Sequence, residues 1–260
     1  MTTTWPVKAV RFPPRGAFNE LLRTEWLLLL RQRKALITGL GLPVLLLVIF
    51  SIIPVFGKPQ KVFDGLTYLD AYLPVLVAMS INNLGLFGLP VLLAGYRESG
   101  ILRRLSTTPL PPSWVLGAQL IINFCVATVS IMLVVIPGVT VFGMHRPQNP
   151  GAFVLSSLLT IAAVFALGLW IAAIARTSKA ASWISGYFFY PLVFFAGLWL
   201  PQPVMPAALR HISYFTPLGA SVQALWSAMR GSFPPASSLL VMTAYAAIFG
   251  VLAVRSFKWE

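Results

Sequence analysis

The run GAFVLSSLLTIAAVFALGLWIAAIA, residues 151–175, contains no Asp, Glu, Lys or Arg. A helix of about 20 apolar residues crosses the roughly 30 Å hydrocarbon core of a bilayer, so this run is long enough to span one. Five more charge-free runs lie on either side of it, at 35–56, 72–95, 115–143, 182–200 and 236–254. Buried helices of a soluble core rarely stay this long and charge-free six times over. A β-barrel reading fails, because barrel strands alternate polar and apolar over about ten residues. The fold expected is an all-α membrane protein of six transmembrane helices. The 115–143 run contains Pro137-Gly138, which predicts a tilt or break near its end.

Composition agrees. Of the 260 residues, 58% are hydrophobic and 10% charged, against roughly 45–50% and 25% in globular chains. The mean hydropathy is +0.83. So apolar a chain is not disordered, and its single cysteine, Cys125, excludes a disulfide scaffold. The first 34 residues are too polar for a cleavable signal peptide, and the first apolar run is a full span.

The net charge of +13 raises nucleic acid as a partner, and the position of the charges argues against it. All 19 basic residues lie outside the six runs. With six spans both termini share a side. That side holds 14 basic residues, in 1–34, 96–114, 176–181 and 255–260, and the other holds 5, namely Lys58, Lys61, Arg146, Arg210 and Arg230. The positive-inside rule then puts both termini in the cytoplasm and ties the basic character to topology and membrane lipids. Trp114, Trp183 and Trp199 fall at span ends, as interfacial anchors do.

Residues 1–34 form the cytoplasmic N-terminus. Within it, Phe18, Leu21, Leu22, Leu28 and Leu29 recur at helical spacing, opposite Asn19, Glu20, Arg23 and Thr24. This pattern predicts an amphipathic helix on the membrane surface, the alternative being that Trp26–Leu30 opens the first span. Residues 96–114 form a cytoplasmic loop and 255–260 a cytoplasmic tail. Residues 201–235, on the outer side, carry Val204, Met205, Leu209, Ile212, Tyr214, Phe215 and Trp226. They read as short helices half-buried in the outer leaflet or re-entering it.

Several chemistries lack their residues. None of the six acids sits within a span, so coupling to a proton or sodium ion through a mid-membrane carboxylate is not expected. The only histidines are His145 and His211, with no metal-ligating cluster around either. Gly precedes Lys only at Gly57-Lys58, and Pro59 stands where a phosphate-binding loop needs Ser or Thr. Energy for uphill transport would therefore come from a partner.

The most informative loop reads Tyr96-Arg-Glu-Ser-Gly-Ile-Leu-Arg-Arg-Leu, followed by Thr108-Pro109-Leu110-Pro111. Ile101, Leu102 and Leu105 can share one face of a short helix that Pro109 ends. The run Arg97-Glu98-x-Gly100-x-Leu-Arg103-Arg104 resembles the signature loop of type-2 ABC exporter permeases. The outer stretch Leu200-Pro201 … Met205-Pro206 … Pro217-Leu218 … Ala224-Leu225 is similar to that family's segment between spans five and six. The resemblance covers essentially the whole chain and is nearest to bacterial drug- and antibiotic-export permeases of the daunorubicin-resistance kind.

That resemblance implies a permease subunit in a bacterial inner membrane. It would move a hydrophobic or amphiphilic substrate outward: a drug, antibiotic, lipid or glycolipid. It is not itself an enzyme. A separate ATPase subunit, in two copies, would bind ATP and magnesium, and a second permease half, identical or related, would complete the exporter. Glu98 would link the coupling loop to the N-terminal helix through Arg23 or Arg31, or hold the ATPase contact. Arg97, Arg103 and Arg104 would meet the ATPase or lipid phosphates, beside Gly100; topology alone also accounts for these arginines. Spans two and five would line the route. There Ser80, Asn82 and Asn83 serve as substrate contacts or as helix–helix hydrogen bonds, and Tyr187, Phe188, Tyr190 and Phe194 greet substrate or pack against lipid. Against this stand a membrane-embedded lipid-modifying enzyme, limited to Glu98, His145 or His211 for its chemistry, and a non-transporting scaffold.

Overall fold

A computed structural model describes residues 14–31, 33–59, 63, 65–101 and 112–256, with side chains described at all of these except 14, 15, 17, 33–38, 112 and 113. Among the described residues the chain is helical, with one isolated bridge between Pro59 and Thr67. The helices are α1 (Pro14–Arg31), α2 (Arg33–Ile52), α3 (Tyr68–Asn83), α4 (Leu89–Glu98), α5 (Pro112–Thr140), α6 (Pro150–Ile174), α7 (Ser178–Ala196), α8 (Ala207–Phe215), α9 (Pro217–Met229) and α10 (Ala236–Ser256). Four segments among the described residues are long and apolar enough to cross a membrane: Tyr68–Glu98, Trp114–Thr140, Pro150–Ile174 and Ala236–Ser256. The described apolar part of α2 is shorter, Gly39–Ile52. Helix α7 has 19 residues but opens with Ser178, Lys179 and Ser182, which dilute its apolar character.

The centre of the molecule is the continuous helix Tyr68–Glu98, in which α3 and α4 are joined by a five-residue π-helical segment, Leu84–Gly88. Every residue from Leu69 to Leu86 is buried. The π segment lies where this helix meets α6, and the crossing is made of glycine. A Cβ on Gly168 would stand 2.0 Å from the Gly85 carbonyl oxygen, and one on Gly85 would stand 2.6 Å from Val164 Cγ1. The two backbones therefore touch, as small residues permit between helices in lipid. Around this axis α2 packs on α3, α1 lies against α5, and α6 runs along α10. Phe18 of α1 meets Trp114 of α5 edge to face, with centroids 5.4 Å apart.

Residues 201–235 hold a short 3-10 turn, Gln202–Val204, and the helices α8 and α9. Helix α9 is enclosed by α3, α6, α7 and α10, and ten of its residues are buried. Gln202 donates to Ser213 Oγ (2.7 Å) and to the Gly219 carbonyl (2.9 Å), while Ser213 donates to the Phe195 carbonyl (2.6 Å). Helix ends differ from the charge-free runs for local reasons. The run 182–200 loses its last four residues because Gly197 adopts φ 98°, a left-handed cap that ends α7 at Ala196. Helix α5 passes through Pro137 and stops at Thr140, with Gly143 at φ 67° turning the chain and Met144 N–H bonding back to the Gly138 carbonyl.

The turn after α5 returns to the start of α3. Asp70 is wholly buried and accepts from the Thr67 backbone N–H (2.9 Å), the Thr67 hydroxyl (2.7 Å) and the His145 backbone N–H (2.8 Å), with His145 Nδ1 at 3.1 Å. Thr67 in turn accepts from Asp70 N–H, a reciprocal cap that begins α3. One acid thus starts the central helix and pins the 141–149 connection to it.

Candidate functional site: the end of helix α4

Helix α4 ends in three consecutive polar residues, and each binds a different neighbour. Successive residues on a helix point about 100° apart, so three in a row address three directions. The Tyr96 hydroxyl donates to Glu25 Oε2 of α1 at 2.6 Å. Gln119 of α5 donates to the same oxygen at 2.7 Å. Glu25 is 9% exposed, so a buried carboxylate gathers α1, α4 and α5 through two charge-assisted hydrogen bonds.

Arg97 points to the end of α6. Its Nη1 donates to the carbonyls of Ala172 (3.1 Å), Ala173 (3.5 Å) and Ala175 (2.8 Å). The last carbonyls of a helix have no partner within it and carry the negative end of its dipole. A guanidinium there satisfies both needs. Glu98 points to the start of α7, where Oε2 accepts from the Ser178 backbone N–H (2.9 Å) and hydroxyl (3.0 Å). A carboxylate at a helix N-terminus has the complementary sign. The connection between α6 and α7 is only Ala175–Thr177, so the Arg97-Glu98 pair clamps both sides of one short turn with opposite charges.

Two glycines make this possible. A Cβ on Gly95 would sit 3.0 Å from Ser178 Oγ, so glycine lets the start of α7 come close to α4. Gly100 takes φ 70° with open space around it, and its N–H bonds to the Arg97 carbonyl. Its role is conformational: it ends the helix directly after Glu98. Beside the node lies a cavity of about 430 Å³ between α1, α4 and α5, walled by Leu29, Phe87, Val91 and Val126 and edged by Gln119 and Asn123.

The residues singled out from sequence fall into four groups. Arg97 and Glu98 meet at the α6–α7 turn, and Gly100 ends the helix that carries them. Arg103 and Arg104, with Thr108-Pro109, lie outside the described residues. Arg23 and Arg31 are exposed on α1, and Glu98 bonds to α7; the link from α1 to α4 runs through Glu25 and Tyr96. Among the residues expected along the route, Ser80 and Asn82 are fully buried, with Ser80 donating to the Val77 carbonyl, and Asn83 donates to the Gly39 carbonyl of α2. Tyr187 and Tyr190 are 82% and 64% exposed, Phe188 sits edge-on to Trp170, and Phe194 lies near Trp199. Glu25, Gln119 and Ser178 were not singled out from sequence. The available signal was that Glu25 is an acid between Trp26 and a polar face on an otherwise leucine-rich stretch.

Residues 16–229 match the family described as ABC-2 type transporter. The chain belongs to that family. It is also similar to "Putative transport permease YvfS" of Bacillus subtilis (strain 168), with 25% identity over 185 residues, covering 70% of this chain and 74% of the relative. Both comparisons describe a transport permease, and neither reaches the daunorubicin-resistance subgroup or a substrate. Permeases of this family normally work with an ABC ATPase. The node at the end of α4 lies inside the matched span, so this ABC-2 chain carries its RE-x-G sequence at a point where three helix contacts converge.

Proposed function

We propose that this chain is the membrane permease of an ATP-driven exporter, with the end of α4 acting as the point where force from the ATPase reaches the helices. In this reading α2 and α7 also cross the bilayer, giving six spans, and both termini face the cytoplasm. Two ATPase subunits engage the loop after Gly100, and two permease halves enclose a route for a hydrophobic or amphiphilic substrate. ATP and magnesium belong to the ATPase.

The observation that carries the reading is the threefold anchoring of Tyr96, Arg97 and Glu98. A push on the loop that follows them moves α4, and α4 cannot move without disturbing α1, α5, α6 and α7. Packed helices have few alternative arrangements, so such a displacement shifts the bundle between discrete states. Closing of the ATPases would favour one of these states, to the extent that they bind it better.

The test is export by proteoliposomes holding the permease and its ATPase. Glu98→Arg puts a cation on the positive end of α7. It is expected to abolish ATP-driven export while membrane insertion and ATPase association remain normal. Export at the unmodified rate by that variant would disprove the coupling role.

A further inference from the structure

A second cavity lies at the opposite end of the central helix, beside Ala71 and Val75 at the start of α3. Its volume is about 370 Å³, within the range of small-ligand sites, which begins near 300 Å³. Its walls combine an apolar part, including Val75, Val222, Pro201 and Trp226, with a cationic part made by Arg210 of α8 and Arg230 at the end of α9.

One donor on the wall, Gln223, is held in place. Gln223 on the wall accepts from Ser238 with Oε1 at 2.5 Å, which leaves its amide N–H groups as donors. The wall itself is pinned by the Gln202–Ser213–Gly219 bonds, and α8 and α9 are so close that a Cβ on Gly219 would stand 2.0 Å from the Ser213 carbonyl oxygen. Guanidinium forks match the oxygens of phosphate, sulfate and carboxylate.

We propose that this cavity binds an amphiphile through its anionic head group, the oxygens facing Arg210, Arg230 and Gln223 and the apolar part facing Val75, Val222 and Trp226. The inference rests on the exporter reading for one point only: there the cavity opens on the release side. Two sources share this chemistry, an anionic lipid of the outer leaflet and an anionic cargo on its way out.

The experiment is calorimetric titration of the purified protein in a neutral maltoside detergent with dihexanoyl phosphatidylglycerol and, separately, dihexanoyl phosphatidylcholine. The anionic lipid is expected to bind about tenfold more tightly, the equivalent of one charge-assisted contact. The double variant Arg210→Gln/Arg230→Gln should lose that preference. Arg146→Gln, which removes a basic residue outside the cavity, should keep it. Gln223→Leu, which leaves net charge unchanged, should weaken the anionic lipid selectively and serves if the double variant does not fold. Equal binding of the two lipids by the unmodified protein, or a preference that survives in the double variant, overturns the site. No ATPase is needed, so lack of export with the preference intact would count against the exporter reading and not against the cavity. With the ATPase present in vesicles, ATP-driven movement of labelled phosphatidylglycerol identifies cargo, and binding without movement identifies a resident lipid.

Discussion

Glu25 gives α1 a polar contact with both α4 and α5. It receives Tyr96 and Gln119 at 2.6 and 2.7 Å while 9% exposed. Removing it strands one buried donor, Gln119, and one half-buried donor, Tyr96. Glu25→Ala should therefore cost on the order of 2–4 kcal/mol, read as a lower midpoint of thermal unfolding in detergent, and Glu20→Ala on the exposed side of the same helix should leave the midpoint unchanged. Asp70 presents the same logic at the other end. With three donated hydrogen bonds besides the His145 ring, its replacement by Ala should cost about 3 kcal/mol. Gly100 differs in kind. Its surroundings are open and its φ is 70°, so Gly100→Ala strains the backbone by about 1 kcal/mol and misdirects the loop after α4. The expected result is reduced ATP-driven export with a loss of stability no larger than that strain, about 1 kcal/mol.

Among elements, the contact of the π segment with α6 brings two long helices together backbone to backbone. A π-helical insertion widens the helix locally and frequently accompanies function. Here it coincides with the Gly85–Gly168 approach, where two backbones meet without side chains between them. Gly168→Ala must push α6 off the central helix. Overpacking of this kind costs roughly 1–3 kcal/mol, and a contact with backbone leaves little room for relief, so the yield of monodisperse protein should fall. Gly117→Ala, in α5 with nothing within 4 Å of the added Cβ, should be neutral or stabilising by up to about 1 kcal/mol. Equal tolerance of both substitutions would show that the helices do not touch at this crossing.

For the whole molecule, the charge asymmetry of 14 against 5 basic residues predicts one orientation. Reporter fusions at the N- and C-terminus should both read cytoplasmic, and a cysteine at position 146 should react with an impermeant thiol reagent from outside. A terminus outside the cell would overturn the six-span arrangement, and with it the assignment of the α4 end to the ATPase side. The Arg97-Glu98 clamp belongs to this scale as well, since it ties the ends of α6 and α7 to one helix. Arg97→Ala leaves the last α6 carbonyls without their cation and should reduce ATP-driven export at least severalfold, with insertion unchanged.

Much of the architecture was legible without coordinates, because lipid imposes a simple demand. A span must be apolar along its whole length and satisfy its own backbone, and both requirements are visible as charge-free runs. All six runs start and end within four residues of a helix boundary, in places for reasons also written locally, such as Gly197 after α7. The family resemblance drew attention to Arg97, Glu98 and Gly100, and the conformational role of Gly100 follows from a single φ angle. What sequence left open is which partner each polar residue takes. Glu98 turns to Ser178, 80 positions away, and Glu25 to Gln119, 94 positions away. Asp70 meets His145 across 75 positions. In lipid, apolar surfaces do not choose their neighbours strongly, because the surrounding tails are equally apolar; close backbone approach and scattered hydrogen bonds make the choice. Those depend on helix rotation and crossing geometry, which no local pattern encodes, and so the tertiary structure alone decided them.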